Sequence, residues 1–198
     1  MCHTLITIVT RKEISMNTTN GKIAEHSKQK IADALLHVTE QYTFKEITVT
    51  QLAQESQLSR KTFYRLFQDK ESVLSYLFEK IYIECLSEIK SKELTHYWDI
   101  VQCYFDFWGS RPELLTLLNR SGLLPALFEG AYKYSGEIFM QIRSQQTITE
   151  FSAPLPYLLA YSMGGIHSML IKWAESGMEI PSNELISKLR AAFKSEEI

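Results

Sequence analysis

At 198 residues, 45% of them hydrophobic and 22% charged, the chain carries enough apolar material for one large domain or two small ones, which excludes a largely disordered protein. Three cysteines, Cys2, Cys85 and Cys103, are an odd number without metal-ligand spacing and exclude a disulfide framework, and no apolar run is long enough to span a membrane. The formal net charge of −2 hides an asymmetry: +1 over residues 1–21, +2 over 22–70 and −5 over 71–198, as expected if one end meets a polyanion.

Near the start, TLITIVT follows no basic region and precedes no small-residue cleavage site, so a cytoplasmic location is expected. Residues 1–21 are expected to be an extension outside the fold. Met16 opens a polar MNTTNGKIAEHSKQK, which resembles a natural beginning, and translation is expected to start there.

No glycine lies between Lys22 and Trp108, and all five prolines stand at Pro112 or later, so the first half reads as uninterrupted helix. From Ser27, apolar residues Ile31, Ala34, Leu35, Val38 and Tyr42 draw one helical stripe. After TFKEI, Thr48 and Gln51 have capping-box spacing for a second helix that runs to about Ser56 and buries Val49, Leu52 and Ala53. Residues 56–58 can only be a tight turn, and Ser59 caps a third helix through Phe67. Asp69 caps a long fourth helix with the stripe Val73, Leu74, Leu77, Phe78, Ile81, Cys85 and Ile89.

Farther on, Tyr97, Val101, Tyr104, Phe105 and Trp108 share a face that Gly109 ends, and Pro112 opens a short helix stopping near Gly122. A seventh helix is expected between Leu124 and Arg143, and TITEFSAPLP is the clearest loop. A long helix from about Tyr157 to Ser176 closes at Gly177, and a last one after Pro181 turns Leu185, Ile186, Leu189 and Phe193 inward. The fold class is therefore all-α, with about nine helices: a three-helix head over residues 22–70 and a helical second domain over 71–198.

The segment QLSRKTFYRLFQDK gathers Arg60, Lys61, Arg65 and Lys70 against a single acid, Asp69. Two short helices joined by a three-residue turn, the second bearing long cations and hydroxyls on one face and Phe63 and Phe67 on the other, make a helix-turn-helix reader of double-stranded DNA. ITVTQLAQESQLSRKTFYRLFQDKESVL resembles the DNA-binding signature of the TetR (tetracycline-repressor) family of bacterial transcriptional regulators, with Gln57 where the family usually has glycine. The resemblance implies that Thr48 and Thr50 touch the DNA backbone, and that Ser59, Arg60, Lys61 and Thr62 open the recognition helix against bases and phosphates. It also implies that Tyr64, Arg65 and Lys70 grip phosphates.

The carboxy-terminal half resembles, more loosely, the ligand-and-dimer domain of regulators from Gram-positive bacteria. A homodimer is implied, with Gly164, Gly165, Leu170, Trp173, Leu189 and Phe193 as the candidate interface, because a glycine pair inside a helix suits close backbone packing. The same glycines also suit packing within one chain. Trp98, Tyr104, Trp108, Phe128, Tyr132 and Tyr157 are candidates to line an aromatic cavity for a small-molecule effector, with ordinary core as the alternative. His96, Cys103 and His167 join no carboxylate at metal or triad spacing, so neither catalysis, cofactor nor metal is expected. The function expected is that of a dimeric, ligand-responsive repressor of a nearby gene. The alternative is a co-regulator of the same fold that binds protein in place of DNA.

Overall fold

The computed structural model describes residues 19–131 and 155–195, and nine helical segments fall within them. These are α1 (Thr19–Val38), α2 (Val49–Glu55), α3 (Arg60–Leu66), α4 (Lys70–Ser91), α5 (Tyr97–Gly109), α6 (Pro112–Arg120), α7 (residues 124–131), α8 (Leu155–Glu175) and α9 (Ser182–Ser195). No strand occurs among the described residues. Two compact units divide within α4: the first runs to Ile81 and includes Arg120–Leu123, and the second comprises Tyr82–Asn119 with the residues from Leu124 onward.

In the first unit, Ile31, Ala34 and Leu35 of α1, Leu52 and Ala53 of α2, Phe63 of α3 and Val73, Leu77 and Ile81 of α4 form one apolar core. α1 begins eight residues before Ser27, where the sequence pattern starts the helix. Its polar first turns are held by side chains from α4, where Lys80 pairs with Glu25 and the Tyr76 hydroxyl donates to Glu25 at 2.9 Å. Burial alone would raise the Glu25 carboxyl, but these donors outweigh it and hold it below the usual range. Tyr42, expected as the end of the buried stripe, is 44% exposed because the helix stops at Val38 and the Tyr42 amide turns back onto the Val38 carbonyl at 3.1 Å.

α4 starts where its cap predicts, with the Ser72 amide donating to Asp69 Oδ1 at 2.7 Å, and its whole apolar stripe is buried. In the second unit Ile100, Val101, Phe105, Phe107 and Trp108 of α5 are buried with Leu115 and Leu118 of α6 and Leu170 and Trp173 of α8. Arg111 stacks 3.8 Å above the Phe107 ring and pairs with Glu84 at 2.7 Å, a half-buried contact inside this unit. α8 ends in a Schellman closure: the Gly177 amide reaches the Ala174 carbonyl, the Met178 amide reaches Trp173, and Gly177 takes φ +69°. Leu185 and Leu189 of α9 are half-buried and Ile186 is buried, but Phe193, expected inward, is 55% exposed because it lies in the last turn of α9.

Candidate nucleic-acid interface

α2 and α3 are seven residues each, too short to stand on propensity alone, so their caps and buried anchors set their ends. Thr48 and Gln51 close a reciprocal capping box: the Gln51 amide donates to Thr48 Oγ1 at 3.2 Å, and the Thr48 amide donates to Gln51 Oε1 at 2.8 Å. Caps of this kind contribute about 1 kcal/mol each. Leaving α2, the Gln57 amide reaches the Gln54 carbonyl, the Leu58 amide reaches Ala53, and Gln57 stands at φ +57°. This is the same Schellman closure that Gly177 makes, here with a glutamine in the left-handed position. Ser59 then caps α3, accepting from the Thr62 amide at 3.0 Å.

α3 divides by face. Phe63 is fully buried and Phe67, 6.0 Å away between ring centroids, is nearly so, and together they pin the helix to α1 and α4. Arg60, Lys61 and Arg65 are exposed, and Tyr64 is 53% exposed with its ring edge-on to Phe63 at 5.5 Å. Anchoring Tyr64 on a buried ring limits its rotamers without covering its hydroxyl. Thr50 is exposed at the start of α2, as is Thr48. The Thr62 hydroxyl lies 2.9 Å from Ser59 Oγ, so part of its hydrogen-bonding capacity serves the cap.

Lys70, expected on a phosphate, is engaged within the head. Its ammonium donates to the carbonyls of Phe44, Lys45 and Ile47 at 2.8, 3.0 and 2.9 Å and sits 4.9 Å from the Phe44 ring centroid. An ammonium has three N–H groups, and all three are used within the protein.

The second-domain candidates are only partly brought together. Trp108 is fully buried, while Tyr104, its neighbour at 6.5 Å, and Phe128 are half-buried. Trp98 packs on Phe193 at 5.7 Å, Tyr157 is 75% exposed, and Tyr132 lies outside the described residues. Leu170 and Trp173, assigned to a dimer interface, are buried in their own unit: Trp173 packs at a tilt against Phe105, 5.5 Å between ring centroids, and donates its indole N–H to the Ile180 carbonyl at 2.7 Å. Gly165 is exposed and Gly164 half-buried, and among the described residues a Cβ at either would meet nothing within 4 Å beyond the backbone of its own helix.

Sequence reasoning missed Tyr161, 75% exposed one turn from Tyr157 and one turn from Gly165, although the four-residue spacing of all three was there to read. It also took His167 for packing or surface. His167 is buried, stacked on Phe128 at 4.7 Å, and held to the Leu124 backbone, while its Nε2 has no hydrogen-bond partner. Trp108 Nε1 is likewise buried without a partner. Burial is the main reason that Tyr104 is pushed up, and the Trp108 indole N–H pulls weakly the other way without reaching hydrogen-bond geometry.

No family model matches the chain. Over 100 residues it is 28% identical to the HTH-type dhaKLM operon transcriptional activator DhaS of Lactococcus lactis subsp. lactis (strain IL1403), a stretch covering 50% of this chain and 46% of that protein. The match thus spans about half the length of this curated relative. In three dimensions the chain resembles the fatty acid degradation regulator FadR from Bacillus halodurans, with a TM-score of 0.57 at 16% identity over 82% of this chain and 91% of that one. The chain shares its all-helical fold with FadR, and both similar proteins are described as regulators, DhaS as an HTH-type transcriptional activator.

Proposed function

We propose that the protein is a DNA-binding transcriptional regulator of TetR type, acting as a ligand-responsive homodimer that represses a neighbouring gene. The observation that carries this reading is α3 itself: Arg60, Lys61, Tyr64 and Arg65 exposed on one face, Phe63 buried on the other, and the start fixed by Ser59. Residues 22–70 are the head, with Thr48, Thr50, Ser59, Arg60, Lys61, Thr62, Tyr64 and Arg65 as its DNA contacts. Residues 71–198 are the effector and dimer domain.

Dimerisation is supported by an outward strip on α8, where Tyr157, Tyr161 and Gly165 follow at four-residue spacing beside Gly164. Such a strip presents aromatic surface and a bare backbone to a second copy. An effector site is supported by two of the buried side-chain atoms that lack partners, Trp108 Nε1 as donor beside the half-buried Tyr104 and His167 Nε2 as acceptor beside the half-buried Phe128. Effector binding would tilt α4 and change the spacing of two recognition helices from the roughly 34–36 Å that successive major grooves require. A coupling of about 1–3 kcal/mol is enough for a 5- to 150-fold change in affinity.

The test is binding to DNA from upstream of the protein's own gene across a salt series, beside Lys61→Ala and Tyr64→Ala. Site-limited, salt-steep binding that both substitutions weaken supports the reading. Transcription of the neighbouring gene in a deletion strain gives the sign: a rise marks a repressor, a fall marks an activator, as DhaS is described. The protein-binding alternative draws on one feature, an open groove of about 180 Å³ in the head lined by His37, Tyr42, Gln51, Gln54 and Glu55. Absence of DNA binding at low salt would favour it.

A further inference from the structure

Lys70 is the first residue of α4, the end of a helix where a cation is least favoured, because the helix dipole presents its positive pole there. Its charge therefore does nothing for α4, and its partners lie elsewhere. The ammonium fills a cup of three carbonyls presented by residues 44–47, the segment that leads into α2. The same segment is tied from its other side, where Glu46 Oε2 accepts from the Thr43 amide at 2.9 Å and the Thr43 hydroxyl at 2.7 Å. Ile47 is buried, and the residue after it is Thr48, the cap of α2. The path of the backbone into Thr48 is thus set by a side chain anchored on α4.

Resting on the DNA-binding reading of the head, we propose that Lys70 is a positioning residue and not a phosphate ligand: its ammonium couples the first turn of α4 to the loop entering α2, and so sets where Thr48 and Thr50 meet the DNA backbone. Movement of α4 passes to the amino-terminal end of α2 through three short hydrogen bonds. It need not pass through the apolar core.

The alternatives separate by salt dependence and by additivity. A side chain that holds a phosphate releases about one counterion, so its loss lowers the slope of log K against log salt by about 0.9. A side chain that only places Thr48 leaves the slope unchanged, and its effect depends on Thr48 being there to place. The experiment uses the full chain as Lys70→Met, Thr48→Ala and the double variant, binding double-stranded DNA from upstream of its own gene at several salt concentrations. Lys70→Met is expected to weaken binding about tenfold, in the range of coupling between touching residues, with the wild-type slope, and to cost much less once Thr48 is already alanine.

A slope reduced by about 0.9, or losses that multiply in the double variant, would overturn the proposal. Hydrogen exchange on the DNA-free protein tests the loop directly. Amides of residues 46–51 are expected to exchange faster in Lys70→Met while those of α3 keep their protection, and unchanged exchange at 46–51 would also overturn it. Should the wild-type protein bind no DNA, the reading of the head fails, and the exchange result still decides whether Lys70 holds the loop.

Discussion

A Cβ placed on Gly109 would stand 3.2 Å from Cη2 of Trp173, tighter than most side chains pack. The indole cannot retreat. It is buried, packed at a tilt against Phe105 at 5.5 Å and held by its N–H on the Ile180 carbonyl at 2.7 Å. Gly109→Ala gains helix propensity of at most about 1 kcal/mol at the last position of α5, against about 1–3 kcal/mol for overpacking. Urea unfolding is expected to show a net loss of about 1 kcal/mol, and a gain would mean that Trp173 is free to move.

The glycines of α8 carry the opposite expectation. Among the described residues nothing beyond the backbone of the helix itself lies within 4 Å of a Cβ on Gly164 or Gly165, and both are interior to a helix, so alanine there adds about 0.5–1 kcal/mol to the fold of one protomer. If the strip with Tyr157 and Tyr161 is the dimer contact, the same methyl groups hold two backbones apart. Gly164→Ala with Gly165→Ala is then expected to raise the dissociation constant of the dimer in sedimentation while the protomer stays folded. Unchanged association would place the dimer contact on another surface.

What was legible in the sequence is what is encoded locally. Thr48 with Gln51, Ser59 and Asp69 with Ser72 are side chains that bond backbone within three residues of themselves, so spacing alone located the starts of α2, α3 and α4. The division of α3 into a cationic and an aromatic face followed from the same short range. The early start of α1 was not legible, because its polar turns are held by Tyr76 and Lys80, more than fifty residues away. The contacts of Lys70 were not legible for a related reason. Its partners are backbone carbonyls, which no residue type announces, and a lysine beside a recognition helix otherwise reads as a phosphate contact. Leu170 and Trp173 were legible as buried, but periodicity does not say whether an apolar face meets its own chain or a second copy.

Gln57 holds the left-handed position that closes α2, at φ +57°. A non-glycine residue pays about 1–2 kcal/mol there, partly offset because glycine loses more conformational freedom on folding. Gln57→Gly is expected to stabilise the protein by about 0.5–1 kcal/mol in chemical denaturation, and Gln57→Val, branched at Cβ, to destabilise it. The amide bonds from Gln57 and Leu58 to Gln54 and Ala53 are kept in the glycine variant, so DNA affinity should hardly change.

His167 supplies a pH dependence with a definite sign. Burial pushes its imidazole below the ordinary histidine range, and the hydrogen bond to the Leu124 carbonyl offsets this only in part. The unfolded chain takes up a proton on this residue below about pH 6.5, whereas the folded chain does not until the pH is lower. The stability contributed by neutral His167 is therefore complete above pH 6.5 and is lost as the pH falls. His167→Gln keeps an N–H for Leu124 and removes the titration, so its unfolding free energy should fall less between pH 7.5 and pH 5 than that of the wild type. The substitution changes no other residue, so the rest of the chain is common to both sides of the comparison. Parallel curves would mean that His167 is as easily protonated in the folded protein as in water, and that its Nε2 is not a buried acceptor awaiting a donor.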